Sequence, residues 1–104
     1  MSTEHAQADV LGEAARGFVE LIGAEIVEAT ADRAVVCLDV KPHHLQPHGV
    51  LHGGVHCTLV ETAASVGGYV WLGGAVVGVN NNTDFLRPVT GGRITATASP
   101  IQRG

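Results

Sequence analysis

Residues 54–74 read GVHCTLVETAASVGGYVWLGG, and the fold turns on whether this run is a strand or a helix. Its Cys, Thr, Leu, Val, Ala and Ser residues show no period-2 alternation, so a half-buried strand does not fit. A length of roughly twenty residues favours a helix. The spacing predicts a start near Gly53 and a stop at Gly73-Gly74. Gly67-Gly68 inside it each cost about 1 kcal/mol relative to Ala, and imply close backbone packing against a sheet. Glu61 is the one formally charged side chain between Lys41 and Asp84. The expected helix is therefore buried, apolar all round, and carries one carboxylate.

The same apolarity, from Gly49 to Val79, raises the question of a membrane span. Glu61, His52, His56, the paired glycines and the lack of Lys or Arg at either flank argue against it.

Working outward, LGEAARGFVELIG (residues 11–23) places Leu11, Ala14, Phe18 and Leu21 near one helical face and Glu13, Arg16 and Glu20 elsewhere. Gly23 is a C-terminal stop. AEIVEAT and TADRAVVCLDV form a hairpin turning near Ala31-Asp32. Ala34, Val36, Leu38 and Val40 alternate there with Arg33, Cys37 and Asp39. KPHHLQPHGVLHGG is a loop. Past the long helix, AVVGVNNNTDFLRPV is strand-like, with Pro88 at a strand end or edge. GRITATASPI sets Ile94, Ala96 and Ala98 against Arg93, Thr95, Thr97 and Ser99. The order is helix, strand, strand, long helix, strand, strand. It predicts an α+β fold, a mainly antiparallel sheet wrapped around one central helix.

At 104 residues the chain is one domain, expected over residues 11–104 behind a flexible N-terminus at 1–10. Its hydrophobic content of 45% is too high for a disordered tail, and the 15% charged content suggests apolar surface covered by a second copy. The net charge of −4, with six scattered Lys and Arg, excludes a nucleic-acid role. Cys37 and Cys57 lack metal or redox spacing, and the polar start MSTEHAQADV lacks an apolar leader core, which points to free thiols in the cytoplasm.

The chemistry concentrates at the start of the long helix. The first amides of a helix have no internal acceptors and carry partial positive charge, so the Gly53-Gly54 entry suits a carbonyl oxygen or developing oxyanion. Glu61 lies about two turns further on, with Thr58 and Ser65 on its face. A carboxylate buried in apolar surroundings is costly unless hydrogen-bonded or used, as a base or a nucleophile. Structural pairing in the core or across a dimer is the alternative for Glu61. His44, His48, His52 and His56 recur every four residues, a spacing that on one helix binds zinc. Pro47 and Gly49 break any such helix, and no metal site is expected. Most of these histidines read as polar loop residues, with His52 orienting the helix start.

QPHGVLHGGVHCTLVETAASVGG followed by VVGVNNNTDFLRPVTGGRITATASPIQRG resembles the hotdog-fold acyl-CoA thioesterases, closest to the 4-hydroxybenzoyl-CoA and phenylacetate-pathway type. The resemblance runs from about Phe18 to the end and rests on HGG with an acid nine positions after the His. It implies hydrolysis of acyl-CoA thioesters with no cofactor besides the CoA of the substrate. Glu61 is then the catalytic base or nucleophile. Gly53, helped by Gly54, bonds the thioester oxygen, Gln46 positions the reacting groups and Ser65 positions water. His52 belongs to the motif, and Asn81, Asn82 and Thr83 line the site, with Asp84 structural. It also implies a homodimer or tetramer with the site between subunits. Val55, Leu59, Tyr69 and Trp71 offer apolar walls for aryl or medium-chain acyl groups. Family members usually continue past ASPIQRG with two more strands, so the sheet is expected to be incomplete. A non-catalytic acyl-CoA binding module, or an inactive truncated paralogue, is the alternative function.

Overall fold

The computed structural model describes residues 12–74 and 87–101. The expectations for residues 1–10, for Leu11 and for the strand carrying Asn81, Asn82, Thr83 and Asp84 lie outside the described residues.

The expected first helix is interrupted. Residues 12–14 are helical, and helix α1 then spans Phe18–Ile22. Between them Gly17 sits at φ 66 and ψ -128, a positive-φ conformation that glycine tolerates and a right-handed helix cannot continue through. The break rotates the apolar face. Ile22 is buried, whereas Phe18 and Leu21, expected on the inner face, are exposed. Gly23, at φ 80, ends α1 as read from the sequence.

Strand β1 (Glu25–Ala29) and strand β2 (Ala34–Asp39) pair antiparallel through the expected turn. The Thr30 amide donates to the Arg33 carbonyl at 2.8 Å, and the Arg33 amide donates to Thr30 Oγ1 at 2.9 Å. The register shifts between Ile26 and Glu28, leaving Val27 as the extra residue of a bulge. Strand β3 (Arg93–Ala98) pairs antiparallel with β2 along its whole length, from Ala34 opposite Ala98 to Asp39 opposite Arg93. Among the described residues the order is β1-β2-β3, so β2 is central. That position corrects the alternation read for β2. Val35 and Cys37 are buried as well as Val36 and Leu38, the central strand having cross-strand side chains on both sides. Cys37 Sγ lies 3.4 Å from Thr95 Oγ1. At the far end Arg93 donates to Asp39 and Glu25, three strands joined by one guanidinium, which the carboxylates, Asp39 first, hold charged above its ordinary range.

Helix α2 spans Gly53–Leu72 and ends at Gly73 in the left-handed conformation, as the sequence predicted. It lies across the sheet against β2 and β3. Ile22, Val36, Leu38, Leu59 and Ala63 form the core, flanked by Ile26, Val55, Ile94, Ala96 and Ala98. The fold is therefore α+β, an antiparallel sheet packed on a long central helix.

The helix is not buried all round. Leu59, Thr62, Ala63 and Val66 face the sheet, at the i, i+3, i+4, i+7 spacing of one stripe. Val60, Trp71 and Leu72 are exposed apolar side chains on the rest. Gly67 does face the sheet, but a Cβ there would lie 3.7 Å from that of Ala34, an ordinary contact. Among the described residues no helix is long and apolar enough to cross a membrane.

Candidate active site

The loop from β2 to α2 is fixed by backbone and side-chain bonds that the sequence only hinted at. A 3-10 turn spans Pro42–His44. His44 is buried, contrary to its reading as a polar loop residue. Its Nδ1 accepts the Lys41 amide at 2.8 Å, so Nε2 carries the proton and donates to the Ile22 carbonyl at 2.7 Å. The loop is thereby tied to the end of α1. It then turns back on itself. The Gln46 amide donates to Val50, the His52 amide to His44, and the Leu51 amide to Val89.

Two consequences reach Gln46 and His52. Gln46 Oε1 accepts the His48 amide, which leaves the Gln46 NH2 group as its donor side. His52 caps α2, its Nδ1 accepting the Gly54 amide at 2.8 Å. A Cβ on Gly54 would lie 2.9 Å from that nitrogen, so glycine is what lets the cap form. The expected donation from Gly54 to substrate is corrected accordingly, since its N–H is spent on His52. Gly53 is the first helical residue, and its N–H has no acceptor within the helix. Gln46 and Gly53 together line a cleft of about 230 Å³, with Val50, His56 and Arg87.

Glu61 is exposed, not buried as the apolar run suggested, because the stripe facing the sheet passes through Leu59, Thr62 and Ala63 instead. Ser65 Oγ donates to Glu61 Oε1 at 3.1 Å. That bond orients the carboxylate and leaves the Ser65 oxygen able to accept from a water. Thr58 and Thr62 offer no comparable help, since their hydroxyls donate one turn back, to the carbonyls of Gly54 and Thr58 at 2.7 and 2.6 Å. Glu61 and Ser65 line a second cleft of about 270 Å³, with Ala14, Val19, Thr62, Val66 and Tyr69. Leu59, expected as a wall, belongs to the core instead.

Within one chain the four candidate residues thus fall into two pairs. Gln46 and Gly53 share the first cleft, and Glu61 and Ser65 the second. Gly53 and Glu61 stand eight residues apart on α2, about 12 Å along the helix axis. The histidine series separates, with His44 in the turn, His48 in the loop, His52 at the cap and His56 on the helix. Among the described residues no three His, Cys, Asp or Glu side chains converge as a metal site would need. Sequence reading missed the roles of Arg87 and His56 in the first cleft. It also missed the bond from Tyr69 Oη to Glu13 at 3.1 Å beside the second. No local pattern announces a contact between residues 56 positions apart.

An antiparallel sheet on a long helix, with HGG at the helix start and a carboxylate two turns on, defines the hotdog class of thioesterase folds. The comparisons agree: residues 48–104 match the model of the Thioesterase superfamily, and the chain belongs to that family. A Mycobacterium tuberculosis protein, Rv1847, is 47% identical over 88 residues, 80% of this chain and 63% of that one. The 1,4-dihydroxy-2-naphthoyl-CoA hydrolase of Listeria monocytogenes is 41% identical over 90 residues, 85% of this chain and 73% of the relative. Among solved structures, the thioesterase HI1161 of Haemophilus influenzae superposes with a TM-score of 0.83 at 36% identity. It covers 94% of this chain and 70% of its own. The chain thus spans less than two thirds of the length of the Mycobacterium relative.

Proposed function

We propose that the protein hydrolyses acyl-CoA thioesters, with Glu61 as the group that starts the reaction. The observation that carries this reading is the open Glu61–Ser65 pair on a helix whose first residue, Gly53, lines one cleft with Gln46. Family membership and the name of the Listeria relative support the thioester class and the CoA carrier.

The chemistry follows from these groups. Glu61 takes a proton from a water that Ser65 helps to hold, and the water oxygen attacks the thioester carbon. The carbonyl oxygen becomes an oxyanion, stabilised by the Gly53 N–H and the Gln46 NH2 group. The C–S bond then breaks, the CoA thiolate takes the proton from Glu61, and the free acid leaves. Direct attack by Glu61 gives an anhydride instead, which water then opens. Single turnover in 18O-labelled water tests for direct attack, because label enters Glu61 only when water opens such an anhydride at the Glu61 carbonyl.

The two pairs line different clefts, and this favours a site shared between two copies, with Glu61 of one meeting Gly53 and Gln46 of the other. Exposed Val60, Trp71 and Leu72 on α2 offer apolar surface for such an association. The first cleft, with Arg87 and His56, suits the phosphate-bearing carrier. The second, apolar and carboxylate-lined, suits the acyl group. The test is turnover of a panel of aryl and alkyl acyl-CoAs by the wild type and by Glu61→Ala. Wild-type turnover in Glu61→Ala would end the assigned mechanism.

A further inference from the structure

The second cleft carries information about the acyl group that its catalytic pair does not use. It is lined by Ala14, Val19, Thr62 and Val66 together with Glu61, Ser65 and Tyr69, which follow one another along α2. Glu61 and Tyr69 are eight residues apart on α2, about 12 Å along the axis. An acyl group whose carbonyl sits at Glu61 therefore directs its far end toward Tyr69.

What Tyr69 presents there is decided by a neighbour outside the cleft lining. The Tyr69 hydroxyl donates to Glu13 Oε2 at 3.1 Å. An ionised carboxylate only accepts hydrogen bonds, so the phenol proton is committed to Glu13 and the phenol oxygen keeps lone pairs for other partners. No Lys, Arg or His stands among the residues lining this cleft, whereas two carboxylates, Glu61 and Glu13, lie in or beside it. The hydrogen bond to Glu13, then its charge, also raises the Tyr69 pKa above its ordinary value, which keeps the phenol protonated and donating.

We infer that Glu13 is a specificity-determining residue that acts through Tyr69. The pair forms an acceptor-only, negatively charged end wall that selects acyl groups ending in a neutral hydrogen-bond donor, such as a hydroxyl, over those ending in a carboxylate. A terminal hydroxyl donates to the phenol oxygen. A terminal carboxylate meets an oxygen with no proton to give, beside a like charge. Apolar ends fall between. This inference rests on the reading of the second cleft as the acyl site.

The experiment compares three CoA thioesters of equal chain length, 10-hydroxydecanoyl, decanoyl and sebacoyl, with the full chain as wild type, Glu13→Gln and Tyr69→Phe. The wild type is expected to favour the hydroxyacyl over the carboxyacyl ester in kcat/KM by about tenfold, from one neutral hydrogen bond gained and a like-charge contact avoided. Glu13→Gln keeps an acceptor for the phenol proton but removes the charge. It therefore narrows the discrimination against sebacoyl-CoA while keeping the preference for hydroxydecanoyl over decanoyl. Tyr69→Phe removes the hydroxyl preference. Both changes fall mainly in KM, because the wall is remote from the reacting carbon. A selectivity pattern within about twofold of wild type in Glu13→Gln overturns the inference. So does loss of hydroxyl preference in neither variant.

Binding of the matching non-hydrolysable thioethers, followed by calorimetry, separates this inference from the thioesterase reading. If no ester is turned over but thioether selectivity follows Glu13, the end wall stands and the hydrolytic reading fails. If hydrolysis proceeds with selectivity indifferent to Glu13, the hydrolytic reading stands and the end wall fails. Absence of both turnover and binding overturns both.

Discussion

Helix α2 has two faces that differ in everything but sequence neighbourhood. On the sheet side Leu59, Thr62, Ala63 and Val66 are buried, and their contacts are apolar or, for Thr62, a bond to the helix's own backbone. On the outer side Glu61 is exposed, held by Ser65 and open to a cleft. The sheet face stabilises the chain and contributes no reacting group. The outer face carries the proposed chemistry and little of the core. Adjacent positions on one helix are thus assigned to separate tasks, and the two are separable by substitution.

The sharpest break of that contrast is Leu59→Ala on the sheet side. Leu59 is 2% exposed, and truncation is expected to cost about 2–5 kcal/mol of stability, read from denaturant midpoints. Across the helix, Glu61→Ala is expected to lower kcat on the best acyl-CoA by about 100-fold or more. Its melting temperature stays near that of the wild type, because an exposed carboxylate leaves no cavity. If Glu61→Ala melts as early as Leu59→Ala, the two faces are not independent. Mixing inactive Glu61→Ala chains with inactive Gln46→Ala chains sharpens the picture further. Activity returns in mixed oligomers if one site draws on two copies, and stays absent if each chain is self-sufficient.

Smaller effects probe where the faces meet. Gly54→Ala forces a Cβ to within 2.9 Å of His52 Nδ1 and dislodges the cap, at an expected cost of about 1 kcal/mol. Gly67→Ala works in the opposite direction. With 3.7 Å to the nearest atom it replaces a flexible glycine by the best helix former, and about 0.5–1 kcal/mol of added stability is expected in thermal unfolding. Loss of stability at Gly67 would mean that α2 and β2 approach more closely than this distance allows.

Much of the fold was legible because local rules agree with it. The stop at Gly73, the turn between β1 and β2 and the alternation of Ile94, Ala96 and Ala98 all follow from chain chemistry that acts over a few residues. Where the reading failed, a distant partner decided. The alternation puts Cys37 on the face opposite Val36 and Leu38, yet the third strand pairs beside it and sets the Thr95 side chain against its sulfur. His44 looked like a loop residue until the end of α1 arrived to accept its proton. Gly17 was read as an ordinary member of a helix, but its positive φ redirects the chain and leaves Phe18 and Leu21 outward.

By itself the sequence determined the long helix and the antiparallel hairpin, and it singled out one carboxylate and a glycine pair at a helix start as the candidate chemistry. These follow from periodicity, helix-end chemistry and the rarity of charge in an apolar run, all properties of neighbours along the chain, whereas Gln46 entered only through the family resemblance. Only the tertiary structure decided which side of that helix meets the sheet. With it came the exposure of Glu61, the loss of the Gly54 amide to His52, the division of Gln46 and Gly53 from Glu61 and Ser65, and the bond between Glu13 and Tyr69. A residue's place on a helix is written in local sequence, but its surroundings are set by chain segments tens of residues away, whose approach depends on the packing of the whole core.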